Sequence, residues 1–322
     1  GHQKAERNFG IYSLYVMFYP QLVAGPIERP QNLIHQFYEK HTWDSDRVKF
    51  GLLQMALGLF KKVVIADRLA LLVDTVYGDL SSQSGGSLLL AAVFYSFQIY
   101  CDFSGYSDMA IGAARVMGFN LMENFNAPYS AKSIPEFWRR WHISLSTWFK
   151  DYVYFSLGGN RVSVPRWYLN IMIVFVLSGI WHGASWNFVI WGALHGGFQL
   201  VGLTINRMFP SLAAEAQFGL RTWIYRLWTF SLVTLAWVFF RLPHFSDIRL
   251  FFKGLGQSAT VGTLGLKPTE IGFSVVLIIG LLIYDVRGRL HSKHFAWLMP
   301  LFVVCIYFFG VFSLKQFIYF QF

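Results

Sequence analysis

Between Arg166 and Arg207 the chain runs for forty residues without an Asp, Glu, Lys or Arg. A helical crossing of a hydrocarbon core takes about 20 residues, so this stretch is long enough for two. Its polar positions include Asn170, Ser178, His182, Ser185, Asn187, His195, Gln199 and Thr204, set among apolar runs such as 171–177 and 188–191. Gly179, Gly183, Gly192, Gly196 and Gly197 allow a neighbouring helix or a substrate chain close to the backbone. Further apolar spans are predicted near 51–66, from 88–101 onward, near 227–240, over 271–284 and over 295–314. Residues 11–28 are apolar but broken by Pro20, Gly25 and Pro26. That pattern predicts a short or re-entrant piece, tolerated at membrane depth only where protein surrounds it. SSQSGGS at 81–87 and the Gly-rich 254–265 read as loops, and Arg287, Arg289, His291, Lys293 and His294 form a basic loop. No repeat of fixed period is visible. The expected fold is all-α: a polytopic bundle of about seven to ten membrane segments with short, broken and re-entrant helices, in one membrane-embedded domain over 1–322.

Composition agrees. The 322 residues are 55% hydrophobic, 19% aromatic and 14% charged, with a mean hydropathy of +0.42, whereas soluble domains carry about 25% charged residues. The net charge of +10 does not point to nucleic acid. The Lys and Arg sit in short segments between apolar spans, where they orient a membrane protein. Cys101 and Cys305 are far apart in apolar surroundings and provide neither a disulfide framework nor a metal site. His291 and His294 have no third ligand near in sequence and read as a solvated loop; no metal is expected. The chain opens Gly-His-Gln-Lys and is expected to be a piece of a longer protein.

Candidate chemistry gathers in a few places. His182 and His195 are ionisable residues at membrane depth, which marks a functional-site hypothesis; the alternative is that they only hydrogen-bond between helices. Asp102 and Asp108 lie in apolar sequence and need a partner or a proton; pairing with an arginine is the expected role. Ser133-Ile-Pro-Glu136 has capping-box spacing, with Pro135 in the first turn. The helix it opens is predicted to carry Trp138, Trp141, Leu145 and Trp148 on one face, and Arg139, His142, Ser146 and Lys150 on the next. Six Lys/Arg against two acids over 132–166 put this region on the cytoplasmic side. A basic funnel there suits an anionic, phosphorylated donor, and a lipid-contacting helix accounts for the charge equally well.

Five motifs in order add up to a resemblance: FYPQLVAGPIERP (18–30), YCDFSGYSDMAIG (100–112), NFNAPYSAKSIPEFWRRWHISLSTWFKDYVYFSLGGNR (124–161), LSGIWHGASWNFVIWGALHG (177–196) and FIYFQF (317–322). Together they resemble the membrane-bound O-acyltransferase (MBOAT) superfamily, in the branch of the bacterial alginate O-acetyltransferase membrane subunit, with the D-alanyl-lipoteichoic-acid subunit a cousin. Family members carry further N-terminal helices. The resemblance implies an O-acyltransferase with a central tunnel in the inner (plasma) membrane, moving an acyl group, expected to be acetyl, to a cell-surface polysaccharide. An acyl-CoA-type donor comes from the cytoplasm and the acceptor from the other side, through an extracytoplasmic SGNH-hydrolase-like acetyltransferase partner. No cofactor beyond the donor and no nucleic acid is implied. The invariant family histidine falls on His182, in Trp-His-Gly, and the second polar position on His142, in Arg-Trp-His. His195 is given a supporting place, Trp181 and Asn187 flank the motif as substrate-contact candidates, and Arg139, Arg140 and Lys150 are candidates for donor phosphates.

The residue types suit that chemistry. Acyl transfer from a thioester to a hydroxyl needs a base near neutrality, which histidine supplies, and dry walls that keep water from the thioester. No G-x-S-x-G is present and Cys101 has no basic neighbour, so direct transfer without an acyl-enzyme is expected. The rival reading is a non-catalytic transporter or scaffold subunit of a polysaccharide-modification system, which also uses broken helices and buried polar groups.

Overall fold

The computed structural model describes residues 4–209, 219–258, 260–261, 267–288, 290–312 and 317. Among them all regular structure is helical. Among the described residues six helical segments are long and apolar enough to cross a membrane: Gly85–Met117, Val164–His182, Trp186–Met208, Leu220–Arg241, Pro268–Arg287 and Ser292–Phe309. The protein is thus an all-α, multi-pass membrane bundle. Arg289, the end of the last predicted span at 313–314, much of the Gly-rich loop (259 and 262–265) and the motif at 318–322 lie outside the described residues.

The chain groups into two compact units. The first comprises residues to 69, 97–124 and those from 274 onward. Its opening helix α1 (Phe9–Met17) has nine residues, about 13 Å of rise and too short to cross a bilayer. The chain then turns back through 18–25, as Pro20, Gly25 and Pro26 predict. The loop that follows is tied by Glu28, which accepts the Met122 N–H, and by Gln36, which donates to the Asn120 carbonyl (2.9 Å) and accepts its N–H (2.8 Å). Burial raises the Glu28 pKa, against the pull of its Met122 and Asn32 hydrogen bonds and nearby Arg29. After a one-turn α2 (Pro30–Leu33), helix α3 (Ser45–Phe60) starts from an Asp44 cap whose side chain accepts the N–H groups of Asp46 and Arg47. It crosses α5 (Gly85–Met117) at two reciprocal glycine pairs. A side chain on Gly58 would collide with the Gly105 carbonyl, and one on Gly51 with that of Gly112. Small residues are what let helix backbones touch where lipid offers no hydrophobic drive to association.

The predicted span near 51–66 is more complicated than a crossing. Helix α3 passes at Lys61 into a π-helical turn, Lys61–Ala66, and then into α4 (Asp67–Gly78). That turn delivers two lysines to the carboxylates of α5: Lys61 Nζ to Asp108 (2.8 Å) and Lys62 Nζ to Asp102 (2.7 Å) and Asp67 (2.8 Å). The acids were expected to pair with arginine. Their partners are lysines, because the π turn brings two adjacent short ammonium heads against one helix. Gln54 adds a hydrogen bond to Asp108 (3.2 Å) and accepts one from Arg115. Breaking a buried pair costs about 3–5 kcal/mol because the remaining charge is stranded. Lys61→Met is therefore expected to lower the thermal midpoint of the detergent-solubilised protein sharply, and Lys61→Met with Asp108→Asn by less than the two single changes added.

The second unit comprises 70–96 and 125–273. Its core is aromatic, with Trp141, Trp191, Trp237, Phe137 and Phe240 fully buried. Helix α10 (Leu220–Arg241) lays Trp237 against Trp191, stacked at 5.8 Å and 22°. Arg241 reaches Asp74 on α4 at 2.8 Å. Ser96 hydrogen-bonds to Thr234 (3.0 Å) and its carbonyl accepts from the Tyr129 hydroxyl (2.5 Å). The amphipathic α11 (Phe245–Leu255) buries Ile248 and Phe251. Two further helices follow, α12 (Pro268–Arg287) and α13 (Phe295–Phe309), whose residues from 274 onward belong to the first unit.

Candidate active site

The forty uncharged residues fold as a helical hairpin in the second unit, α8 (Val164–His182) and α9 (Trp186–Met208). Pro165 sits in the first turn of α8, where its missing N–H is harmless. At the tip, Ser185 caps α9 by accepting the Asn187 N–H. Close approach along the hairpin rests on two glycines: a side chain on Gly179 would strike the Phe188 carbonyl, and one on Gly192 the Phe175 carbonyl. Gly179→Ala is therefore expected to cost the protein its fold in membranes, read as loss of the monodisperse peak after solubilisation.

His182 is the last residue of α8, at the tip of this hairpin, half-buried. Aromatic rings box it in: Trp181 at 4.9 Å, Phe240 at 5.0 Å, Trp191 at 5.1 Å and Phe188 at 6.3 Å between centroids. Asn187, buried, donates its amide to the Leu242 carbonyl and so ties the start of α9 to the end of α10.

His142 arrives from the region predicted as one helix. The Ser133 half of the capping box forms, with Ser133 Oγ accepting the Glu136 N–H at 3.3 Å, while the Glu136 carboxylate takes the N–H of Lys132, one residue before the cap. The helix does not continue through 150. It is two short helices, α6 (Ile134–Arg140) and α7 (Ile143–Phe149), with His142 between them in left-handed conformation, φ 44° and ψ 54°. The 3.6-residue pattern therefore holds only within each piece: Trp141 and Leu145 are buried, Trp138 is half-buried and Trp148 exposed. A non-glycine residue in that region costs about 1–3 kcal/mol, and such strain gathers at functional sites. The break turns a buried His142 ring toward Trp181 (6.4 Å), the residue that also packs on His182. Burial, with nearby His182 adding to it, pushes the His142 pKa well below the usual imidazole range and keeps the ring neutral.

A cavity of about 330 Å³ opens between α6, α7, α8 and α9. Arg139 and Lys150 line it together with Trp138, Tyr154, Trp167, Phe175, Ser178 and Gln199. A second π turn, Lys150–Tyr154, follows α7 and contributes both its end residues to the lining. The cavity follows α8 from Trp167 to Ser178, about 16 Å of rise, and stops one turn short of His182. Of the other basic candidates, Arg140 is held by Glu136 (2.9 Å) and donates to the Asn126 carbonyl (3.1 Å). It does not line the cavity.

His195 lies fully buried behind the cavity wall. Trp138 Nε1–H donates to its Nδ1 at 3.2 Å, and its ring stacks on Phe137 (6.2 Å) and Phe175 (6.3 Å). The structure thus gathers His182, Trp181 and His142 at one end, Arg139 and Lys150 on the cavity, and His195 beside it. Ser178 and Gln199, polar members of the lining, were noted in the sequence as polar positions without a role. Their signal was helical spacing, since Ser178 lies four residues before His182 and Gln199 four after His195.

The family model for MBOAT, membrane-bound O-acyltransferase family, matches residues 4–243. The chain is 40% identical over 292 residues to "Probable alginate O-acetylase AlgI" of Pseudomonas aeruginosa, covering 89% of this chain and 54% of that protein. It is 42% identical over 246 residues to the peptidoglycan O-acetyltransferase of Helicobacter pylori, covering 76% and 46%. It is 29% identical over 203 residues to the teichoic acid D-alanyltransferase of Bacillus subtilis, covering 56% and 48%. The chain spans about half the length of the curated relatives it matches.

Proposed function

Because this chain belongs to the membrane-bound O-acyltransferase family, we propose that it carries the reaction centre of a membrane O-acyltransferase that moves an acetyl group from a cytoplasmic thioester to a cell-surface polysaccharide. The observation that carries this reading is the cavity itself. It has cations among its lining, Arg139 and Lys150, an apolar bore along α8, and an inner end one turn from His182. A phosphorylated thioester donor of the acyl-CoA type suits such a lining, with anionic phosphates for the cations and a chain that an apolar bore accepts.

His182 takes the proton from the acceptor hydroxyl as its oxygen attacks the acyl carbon. The C–O bond forms, the C–S bond breaks, and the proton passes to the departing thiolate. His142, held neutral at the break between α6 and α7, donates an N–H to the oxyanion. The buried rings of Phe188, Trp191 and Phe240 wall one side of His182 and reduce the water that could hydrolyse the thioester there. The acceptor is a polysaccharide hydroxyl or an extracytoplasmic acetyltransferase that relays the group outward.

The test uses the intact protein in lipid nanodiscs with acetyl-CoA labelled in the acetyl group and a short mannuronate oligosaccharide. Label should leave CoA in a reaction that requires the protein; intact protein that releases no CoA would sink the proposal. Hydrogen bonds to charged groups contribute about 1.5–3 kcal/mol. Arg139→Glu and Lys150→Glu should therefore each raise KM for acetyl-CoA roughly 10–100-fold, with smaller effects on kcat. Arg140→Glu should act through stability instead, because its charge is engaged by Glu136.

A further inference from the structure

Trp138 occupies a place that the reaction scheme does not use. Its ring lines the cavity and also touches Phe175 (5.4 Å) and Trp191 (5.8 Å). Trp191 in turn packs on His182 at 5.1 Å. The indole therefore borders the cavity and is linked through Trp191 to the rings around the histidine. Its orientation is fixed from behind. His195 Nδ1 accepts the indole N–H at 3.2 Å, so the neutral ring carries its own proton on Nε2, a fully buried atom with no partner among the described residues. His195 does not line the cavity, and its hold on the bore is through Trp138.

We propose that Trp138, pinned by His195, sets the length of acyl group that the site accepts and confines it to two or three carbons. This rests on reading the cavity as the donor site. From Ser178 to His182 there is one helical turn, about 6 Å. On the far side of it the buried rings of Phe188, Trp191 and Phe240 already pack against His182. Protein interiors this closely packed have no room for extra methylenes without displacing a side chain. Trp138 lines the existing bore and packs on Phe175 and Trp191, so its removal opens space continuous with that bore. Trp138 is thus the specificity-determining residue, and His195 the positioning residue that acts through it.

The experiment measures kcat/KM for acetyl-, butyryl- and octanoyl-CoA with the intact protein in nanodiscs, alongside affinities for the unreactive thioethers S-ethyl- and S-octyl-CoA. A pocket discriminates by about 10–200-fold per methylene, so wild type should strongly prefer acetyl over butyryl. Trp138→Ala should bring the acetyl-to-butyryl ratio down by at least roughly tenfold and admit S-octyl-CoA. His195→Phe keeps the stacked ring but loses the acceptor, and should shift the ratio the same way. His195→Gln, whose amide oxygen can accept the indole N–H, should restore it. A purely structural role for His195 would lower all three rates together and leave the ratio fixed. If wild type binds and uses the thioesters but Trp138→Ala and His195→Phe leave the ratio unchanged, the proposal is wrong and the donor site stands. If the thioethers do not bind to wild type at all, both fall.

Discussion

Replacing His182 by alanine or glutamine is expected to abolish acyl transfer while the protein still inserts and folds. General-base catalysis contributes about 10²–10⁴-fold, and the loss should be at least of that order. His182 ends α8 and its backbone is already followed by the extended Gly183, so the substitution removes an imidazole without disturbing a helix interior. The Gly179 and Gly192 approaches that hold the hairpin together are untouched. Loss should appear in kcat and not in the affinity for an unreactive thioether, because the cavity ends one turn away. A well-expressed His182→Ala protein that still acetylates polymer at the wild-type rate would remove the assignment.

The next largest effect is expected at His142. If its role is to donate a hydrogen bond to the oxyanion, the donor matters and titration does not. Loss of one such donor costs about 10²–10³-fold in kcat. His142→Asn should keep partial activity for two reasons. Its amide can donate, and asparagine tolerates the left-handed conformation at φ 44° that this position requires. His142→Ala should fail on both counts. The pH–rate profile should show no group titrating in the neutral range that vanishes in His142→Asn, since burial already holds that ring neutral well into the acid range. Equal loss in both variants, together with a titration that disappears in His142→Asn, would make His142 an acid–base group instead.

Much of this was legible in the chain because membrane physics leaves strong marks. Forty uncharged residues between two arginines could only be a pair of crossings, and the hairpin is where the pattern put it. The capping spacing at Ser133 gave the start of α6, since a cap is a local hydrogen bond that needs no tertiary partner. What stayed hidden depended on backbone that departs from regular helix. The break at His142 keeps the 3.6-residue spacing nearly intact on either side, so periodicity reads through it as one helix. The π turn at Lys61 likewise hides in an apolar run, and with it the reason that Asp102 and Asp108 meet lysines. Trp138 looked like one more residue on a buried face. Only its hydrogen bond to His195, 57 positions away, gives it a separate role.

The central claim is that His182 performs the transfer on a thioester held in the cavity along α8. It is tested most directly by one measurement: release of CoA thiol from acetyl-CoA by the intact protein, wild type against His182→Gln, with S-ethyl-CoA affinity determined on the same samples. His182→Gln is expected to bind S-ethyl-CoA as wild type does and to release thiol at least roughly a hundredfold more slowly. Thiol release by His182→Gln at the wild-type rate, with binding intact, would contradict it.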